Sequence, residues 1–118
     1  MKKITLIIMS VLVLGILGFL YLKGNLTAKA ITDSTVEFTV NAYRFGYNPD
    51  TLTVNQGDKV KIYINNTDTL HGIRIPELGI KGDNLIEFTA EKKGEFVWYC
   101  ANMCGKEHMQ MQGRIIIN

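Results

Sequence analysis

Several kinds of residue are scarce in this chain, and each scarcity removes a class of protein. Its 118 residues hold two cysteines, two histidines, two prolines and one tryptophan. Two cysteines allow one disulfide, a metal pair or a redox pair, but no disulfide-rich scaffold. Charge of one sign is scarce too: 13 Lys and Arg against 11 Asp and Glu leave a net charge of +2. No basic run and no Lys/Arg patch interleaved with aromatics occurs, so nucleic acid is not an expected partner. Repeats and low-complexity tracts are absent, and the length has room for one domain. Beyond the N-terminus there is no soluble helix of any length.

The exception to this plainness is an uncharged stretch from Ile4 to Leu22, preceded by Lys2 and Lys3. As a helix it is about 28 Å long, close to the thickness of a bilayer's hydrocarbon core. The two lysines favour a cytoplasmic N-terminus, which places the rest of the chain on the extracytoplasmic side. A cleaved signal peptide is the rival, with Ala28-Lys29-Ala30 as its site. The apolar run exceeds the roughly 7–15 residues of a usual signal core. No cysteine follows it, so a lipoprotein anchor is excluded. The expected organisation is an anchor or signal peptide over 1–23, a polar linker over 24–34 and a globular domain over 35–118.

In that domain the hydrophobic period is two, the mark of half-buried strands. Val36 to Val40 alternates, and so does Lys59 to Ile64, with Val60, Ile62 and Ile64 on one face. Thr51 to Val54, His71 to Ile75, Leu85 to Thr89, Glu95 to Cys100 and Gly113 to Ile117 are further candidates. Turn signals such as Asn48-Pro49-Asp50, Gln56-Gly57-Asp58 and Gly82-Asp83-Asn84 separate them. The pattern predicts an all-β Greek-key sandwich of about seven strands. Trp98 and at least one face of the alternating Tyr43, Phe45 and Tyr47 are expected in its core.

Chemistry concentrates in one segment. Cys100, Cys104, His108 and Met111 lie between two strong strand signals, on a loop held at both ends. Thiolate and thioether beside imidazole suit copper, which heads the affinity order of the divalent first-row ions. His71 is the other histidine, expected at the start of a strand. Cys104, His108, Met111 and His71 would already make a one-copper site with a weak axial thioether. Cys100 is the extra residue, and two thiolates at this spacing can bridge two copper ions. A disulfide between the cysteines would close only a short loop and gain little stability. It would also leave the two histidines and Met111 without a role. A structural zinc site has suitable donors, yet a sandwich needs no such staple.

The pattern C-x3-C-x3-H-x2-M, with Gly105 after the second cysteine and the upstream Asp68-Thr69-Leu70-His71-Gly72, resembles the CuA domain of cytochrome c oxidase subunit II. More distantly it is similar to the same domain of nitrous oxide reductase. The likeness runs from about Tyr43 to Ile117. It implies a cupredoxin-like fold and two copper ions bridged by Cys100 and Cys104. One copper would also take His71 and Met111, the other His108 and the backbone carbonyl of Asn102. The commoner two-helix forms carry a glutamate where Asn102 stands, so the second metal associated with that glutamate is not expected here. The implied function is electron transfer from a cytochrome c or small cupredoxin to a haem-copper oxidase core, by a single-pass membrane protein that catalyses nothing alone. Met103 and Met109 near the site keep open an extracytoplasmic protein for copper delivery, storage or sensing. A free-standing redox carrier also fits the same residues.

Overall fold

A computed structural model describes residues 2–23 and 34–118. The linker expected over 24–34 falls, except for Ser34, outside the described residues, as does Ala28-Lys29-Ala30. The chain forms two compact units, residues 1–30 and 31–118.

The first unit holds helix α1, Lys2–Lys23. Its segment Lys2–Tyr21 is long and apolar enough to cross a membrane. Side chains from Lys2 to Tyr21 are exposed all round. A helix apolar on every face has no polar side to turn to water, which separates it from the amphipathic helix of a soluble domain.

The second unit is a two-sheet sandwich. Its strands are β1 (Thr35–Tyr43), β2 (Gly46–Asn48), β3 (Thr51–Val54), β4 (Lys59–Asn66), β5 (Ile73–Ile75), β6 (Ile80–Gly82), β7 (Leu85–Thr89), β8 (Gly94–Tyr99) and β9 (Gln112–Ile117). One sheet has the order β2-β1-β4-β7, the other β3-β9-β8-β5-β6. Each sheet contains one parallel pair, β1 with β4 and β3 with β9, among antiparallel neighbours. Parallel neighbours cannot be joined by a tight hairpin. The chain therefore crosses to the second sheet for β3 before returning as β4.

Alternation decides which side chains fill the core. Val60, Ile62 and Ile64 of β4 are buried, as are Phe96 and Trp98 of β8 and Ile115 and Ile117 of β9. Lys59 and Tyr63, on the opposite parity of β4, are exposed. Trp98 lies across Gly113, its cross-strand partner. A Cβ on Gly113 would stand 2.3 Å from the indole, so only glycine admits the ring there. Tyr47 meets Trp98 edge-on with centroids 5.7 Å apart, a favoured geometry for aromatic pairs. Of the three alternating aromatics, Tyr47 is buried and Phe45 packs against the core, while Tyr43 is exposed.

Among the described residues nine strands stand where the pattern marked about seven. The additional two, β2 and β6, are three residues each. That length is too short to show a period of two. The Thr51–Val54 and Leu85–Thr89 boundaries agree with the sequence reading. β5 begins at Ile73, so His71 sits on the loop leading into the strand.

Candidate metal centre

The sheet register brings the chemical residues together. β8 and β9 pair out to Tyr99 and Gln112, so residues 100–111 form a loop clamped at both ends. Next door, β5 pairs with β8 at Arg74 and Tyr99. This sets the β4–β5 loop, with His71 near its end, beside Cys100. Gly72 follows in a left-handed conformation, φ 68°, with Gly82 O 2.8 Å from where a Cβ would stand. Any other side chain would push His71 away from the cysteines.

Cys100, Cys104, Met111 and His71 are buried. Both cysteines are free, with their sulfurs 3.4 Å apart. His71 Nδ1 lies 3.7 Å from Cys100 Sγ, and His108 Nδ1 lies 3.7 Å from Cys104 Sγ. Met111 Sδ is 4.0 Å from Cys104 Sγ. The Asn102 carbonyl accepts from Cys100 Sγ at 3.0 Å. All six residues singled out in the sequence thus meet at one end of the sandwich. The donor atoms of His71, Cys100 and Cys104 fall within 4.8 Å of one another, and His108 stands outside that cluster.

Polar neighbours hold these side chains in place. His71 Nε2 donates to Asp68 Oδ1 at 2.5 Å. A proton on Nε2 toward Asp68 leaves Nδ1 as the lone-pair nitrogen that faces Cys100. This bond holds the Asp68 carboxyl down at about 2. Asp68 also accepts from the Arg44 backbone N–H at 2.8 Å, and Arg44 Nε donates to the Cys104 carbonyl at 2.8 Å. One turn between β1 and β2 therefore braces both loops. Tyr47 Oη donates to Gly72 O at 2.8 Å, and burial pushes its phenol well above its usual value. Burial also pushes the Cys100 thiol up to about 11. At neutral pH this site stores a thiol that a metal must deprotonate.

The donors fit soft-metal chemistry. Two sulfurs in near contact, each with its own imidazole nitrogen, differ from four donors closing on a single point, as a structural zinc demands. Met111 adds a thioether, a soft ligand that zinc sites do not use.

Asp68, Arg44 and Tyr47 were missed by sequence reasoning. Asp68 carried a faint signal, an acid three residues before a suspected ligand. The others meet the site only through the fold. Met103 and Met109, near the site in the sequence, are 82% and 71% exposed, and Trp98 is fully buried as expected. Among the described residues, Trp98 Nε1 is a buried side-chain donor with no hydrogen-bond partner.

Residues 25–118 match the family "Cytochrome C oxidase subunit II, periplasmic domain". Cytochrome c oxidase subunit 2 of Thermus thermophilus is 30% identical over 84 residues, covering 66% of this chain and 62% of the relative. The chain thus spans less than two thirds of that relative's length. Among solved structures, a chain of a heme-copper terminal oxidase dimer aligns with TM-score 0.60 at 18% identity, covering 99% of each chain. Native pseudoazurin from Hyphomicrobium denitrificans aligns with TM-score 0.52 at 26% identity, over 70% of this chain and 76% of that one. The first of these two likenesses is one of fold.

Proposed function

The chain belongs to the family of the cytochrome c oxidase subunit II periplasmic domain, and from that premise we propose that it is a membrane-anchored electron-transfer protein with a binuclear copper centre. One observation carries the reading. Two free cysteine sulfurs lie 3.4 Å apart, each with a separate imidazole nitrogen at 3.7 Å. Cys100 and Cys104 would serve as ligands to both ions, with His71 and Met111 holding one of them and His108 with the Asn102 carbonyl the other. Two copper ions held there would accept and release one electron shared across the pair.

What the residues contribute is rigidity and exclusion of water. The cysteines, His71 and Met111 are buried, and every donor loop is fixed at a strand end or by Asp68 and Arg44. A scaffold that moves little between oxidation states keeps the reorganisation cost of each transfer small. Leu70, Met103 and Met109 are exposed on the two loops that carry the ligands. They offer an apolar rim against which a cytochrome c or a small cupredoxin can dock close to the metals. Helix α1 anchors the chain, and Lys2 and Lys3 on the cytoplasmic side leave the sandwich extracytoplasmic. The acceptor is a haem-copper oxidase core, for which this chain acts as the subunit II.

Co-purification from native membranes tests the assembly. A haem-binding multi-span subunit is expected with the chain, and deletion should abolish cytochrome-dependent oxygen uptake. Isolation without haem, together with unchanged respiration, contradicts the oxidase role.

The exposure of Met103 and Met109, 82% and 71%, favours a second reading: copper delivery, storage or sensing. A protein of that kind exchanges metal readily. Fast loss of copper to a weak chelator supports this reading, and a kinetically inert, reversibly reducible site supports the first.

A further inference from the structure

Four polar residues from three separate segments close a hydrogen-bonded ring around the candidate centre. Asn66 ends β4, and its Oδ1 accepts from the His71 backbone N–H at 2.9 Å. Asn66 Nδ2 donates to the Asp83 backbone carbonyl at 2.9 Å, in the turn between β6 and β7. The Asp83 carboxylate accepts from Asn102 Nδ2 at 2.9 Å. Asn102 Nδ2 also donates to the His71 carbonyl at 3.0 Å, which closes the ring. Both partners of the Asn102 amide are oxygen acceptors, so its nitrogen end must face them and both of its hydrogens are used.

The ring converges on a single carbonyl. His71 O receives the backbone N–H groups of Ala101 and Asn102, each at 3.0 Å, as well as the Asn102 side chain. Backbone and side chain of Asn102 are thus tied to the same atom, which leaves that residue little freedom to turn. Its own carbonyl is held 3.0 Å from Cys100 Sγ.

We propose that this ring is a metal-independent jig for the centre, and that the Asn102 side chain is the positioning residue that closes it. The jig sets how the His71 imidazole and the Asn102 carbonyl stand relative to the two sulfurs before any metal arrives. It rests on the metal-centre reading above and adds a role for the side chain of a residue whose carbonyl alone that reading uses. Asp83 is exposed, so water competes for its bonds and the ring contributes little to overall fold stability. Its effect belongs in the geometry of the site.

The test uses the full chain in detergent, with Asn102→Leu to remove both donors at similar size, and Asp83→Ala to free one of them. Asp83→Asn keeps an acceptor oxygen and serves as the conservative control. Three quantities are read: copper affinity in competition with a chelator, the EPR hyperfine pattern of the loaded chain, and amide hydrogen exchange at Ala101 and Asn102 without metal. Asn102→Leu is expected to lower copper affinity roughly 10–100-fold, the usual cost of losing an outer-shell partner. It should also alter the hyperfine couplings of the loaded chain and speed exchange at both amides. Asp83→Ala should move all three the same way by less, and Asp83→Asn should stay close to the parent. An Asn102→Leu chain with parental affinity, spectrum and amide exchange overturns the jig. A parent chain that binds one copper or none, yet loses amide protection on Asn102→Leu, overturns the binuclear reading and leaves the jig standing.

Discussion

The Asp68 carboxylate receives the Nε2 proton of His71 at 2.5 Å, and the opposite ring nitrogen thereby faces Cys100 Sγ at 3.7 Å. A carboxylate behind a ligating histidine fixes both its tautomer and its orientation. Asp68→Ala is expected to weaken copper binding by roughly 10–100-fold, read by chelator competition. Asp68→Asn retains an acceptor oxygen and should lose less.

The same pair imposes an acid limit on the metal-free fold. Asp68 has its carboxyl depressed to about 2, first by the His71 hydrogen bond and then by the Arg44 backbone N–H. A depressed carboxyl stabilises the fold above its unfolded value, 3.8 here, and that contribution disappears as pH falls through about 2. Acid unfolding of the metal-free chain should therefore steepen across this window, and Asp68→Asn should flatten it. Circular dichroism against pH follows both.

Copper loading should release protons. Burial raises the Cys100 thiol to about 11, so at neutral pH it carries its proton until a metal displaces it. For each proton displaced, apparent affinity should climb about tenfold per pH unit below that value. For the metal-free fold the sign is opposite to that of Asp68: the stabilising contribution is complete below the ordinary thiol value of 9.0 and is lost as pH rises through about 11. Loading followed with a pH indicator, and retention measured from pH 5 upward, check both statements. Retention independent of pH contradicts the thiolate ligands.

Gly113 is where the core admits no addition. Its Gly113→Ala variant places a methyl group 2.3 Å from the Trp98 indole, inside van der Waals contact. Overpacking of this kind costs about 1–3 kcal/mol. Thermal denaturation should show the loss. Because β8 leads directly into Cys100, a displaced indole should also perturb the spectrum of the loaded centre.

Much of this molecule is legible in its sequence, and what is not has physical reasons. Long strands such as β4 announce themselves because Val60, Ile62 and Ile64 alternate with polar residues over enough positions to show a period. The three-residue strands β2 and β6 cannot do so, since their existence depends on partners in β1 and β5. The candidate ligand loop stood out because Cys100, Cys104, His108 and Met111 are close in sequence and rare in composition. Asn66, Asp83 and Arg44 are common surface residue types, and only the sheet register brings them to the site. The side chain of Asn102 was hidden for another reason: the likeness to the family pointed at its backbone carbonyl, while its amide does separate work.

Cys100 distinguishes two coppers from one. Cys104, His108, Met111 and His71 by themselves match a mononuclear donor set. Cys100→Ser is expected to bind one copper per chain, with an absorption spectrum of mononuclear thiolate type. Unchanged stoichiometry in that variant would remove Cys100 from the ligand set.

The most direct measurement is the EPR spectrum of the copper-loaded full chain, taken with a count of copper per chain. About two copper ions per chain, with hyperfine structure from one electron shared over both nuclei, is the result expected of bridging Cys100 and Cys104 sulfurs. A single-nucleus pattern with one copper per chain would contradict the binuclear centre.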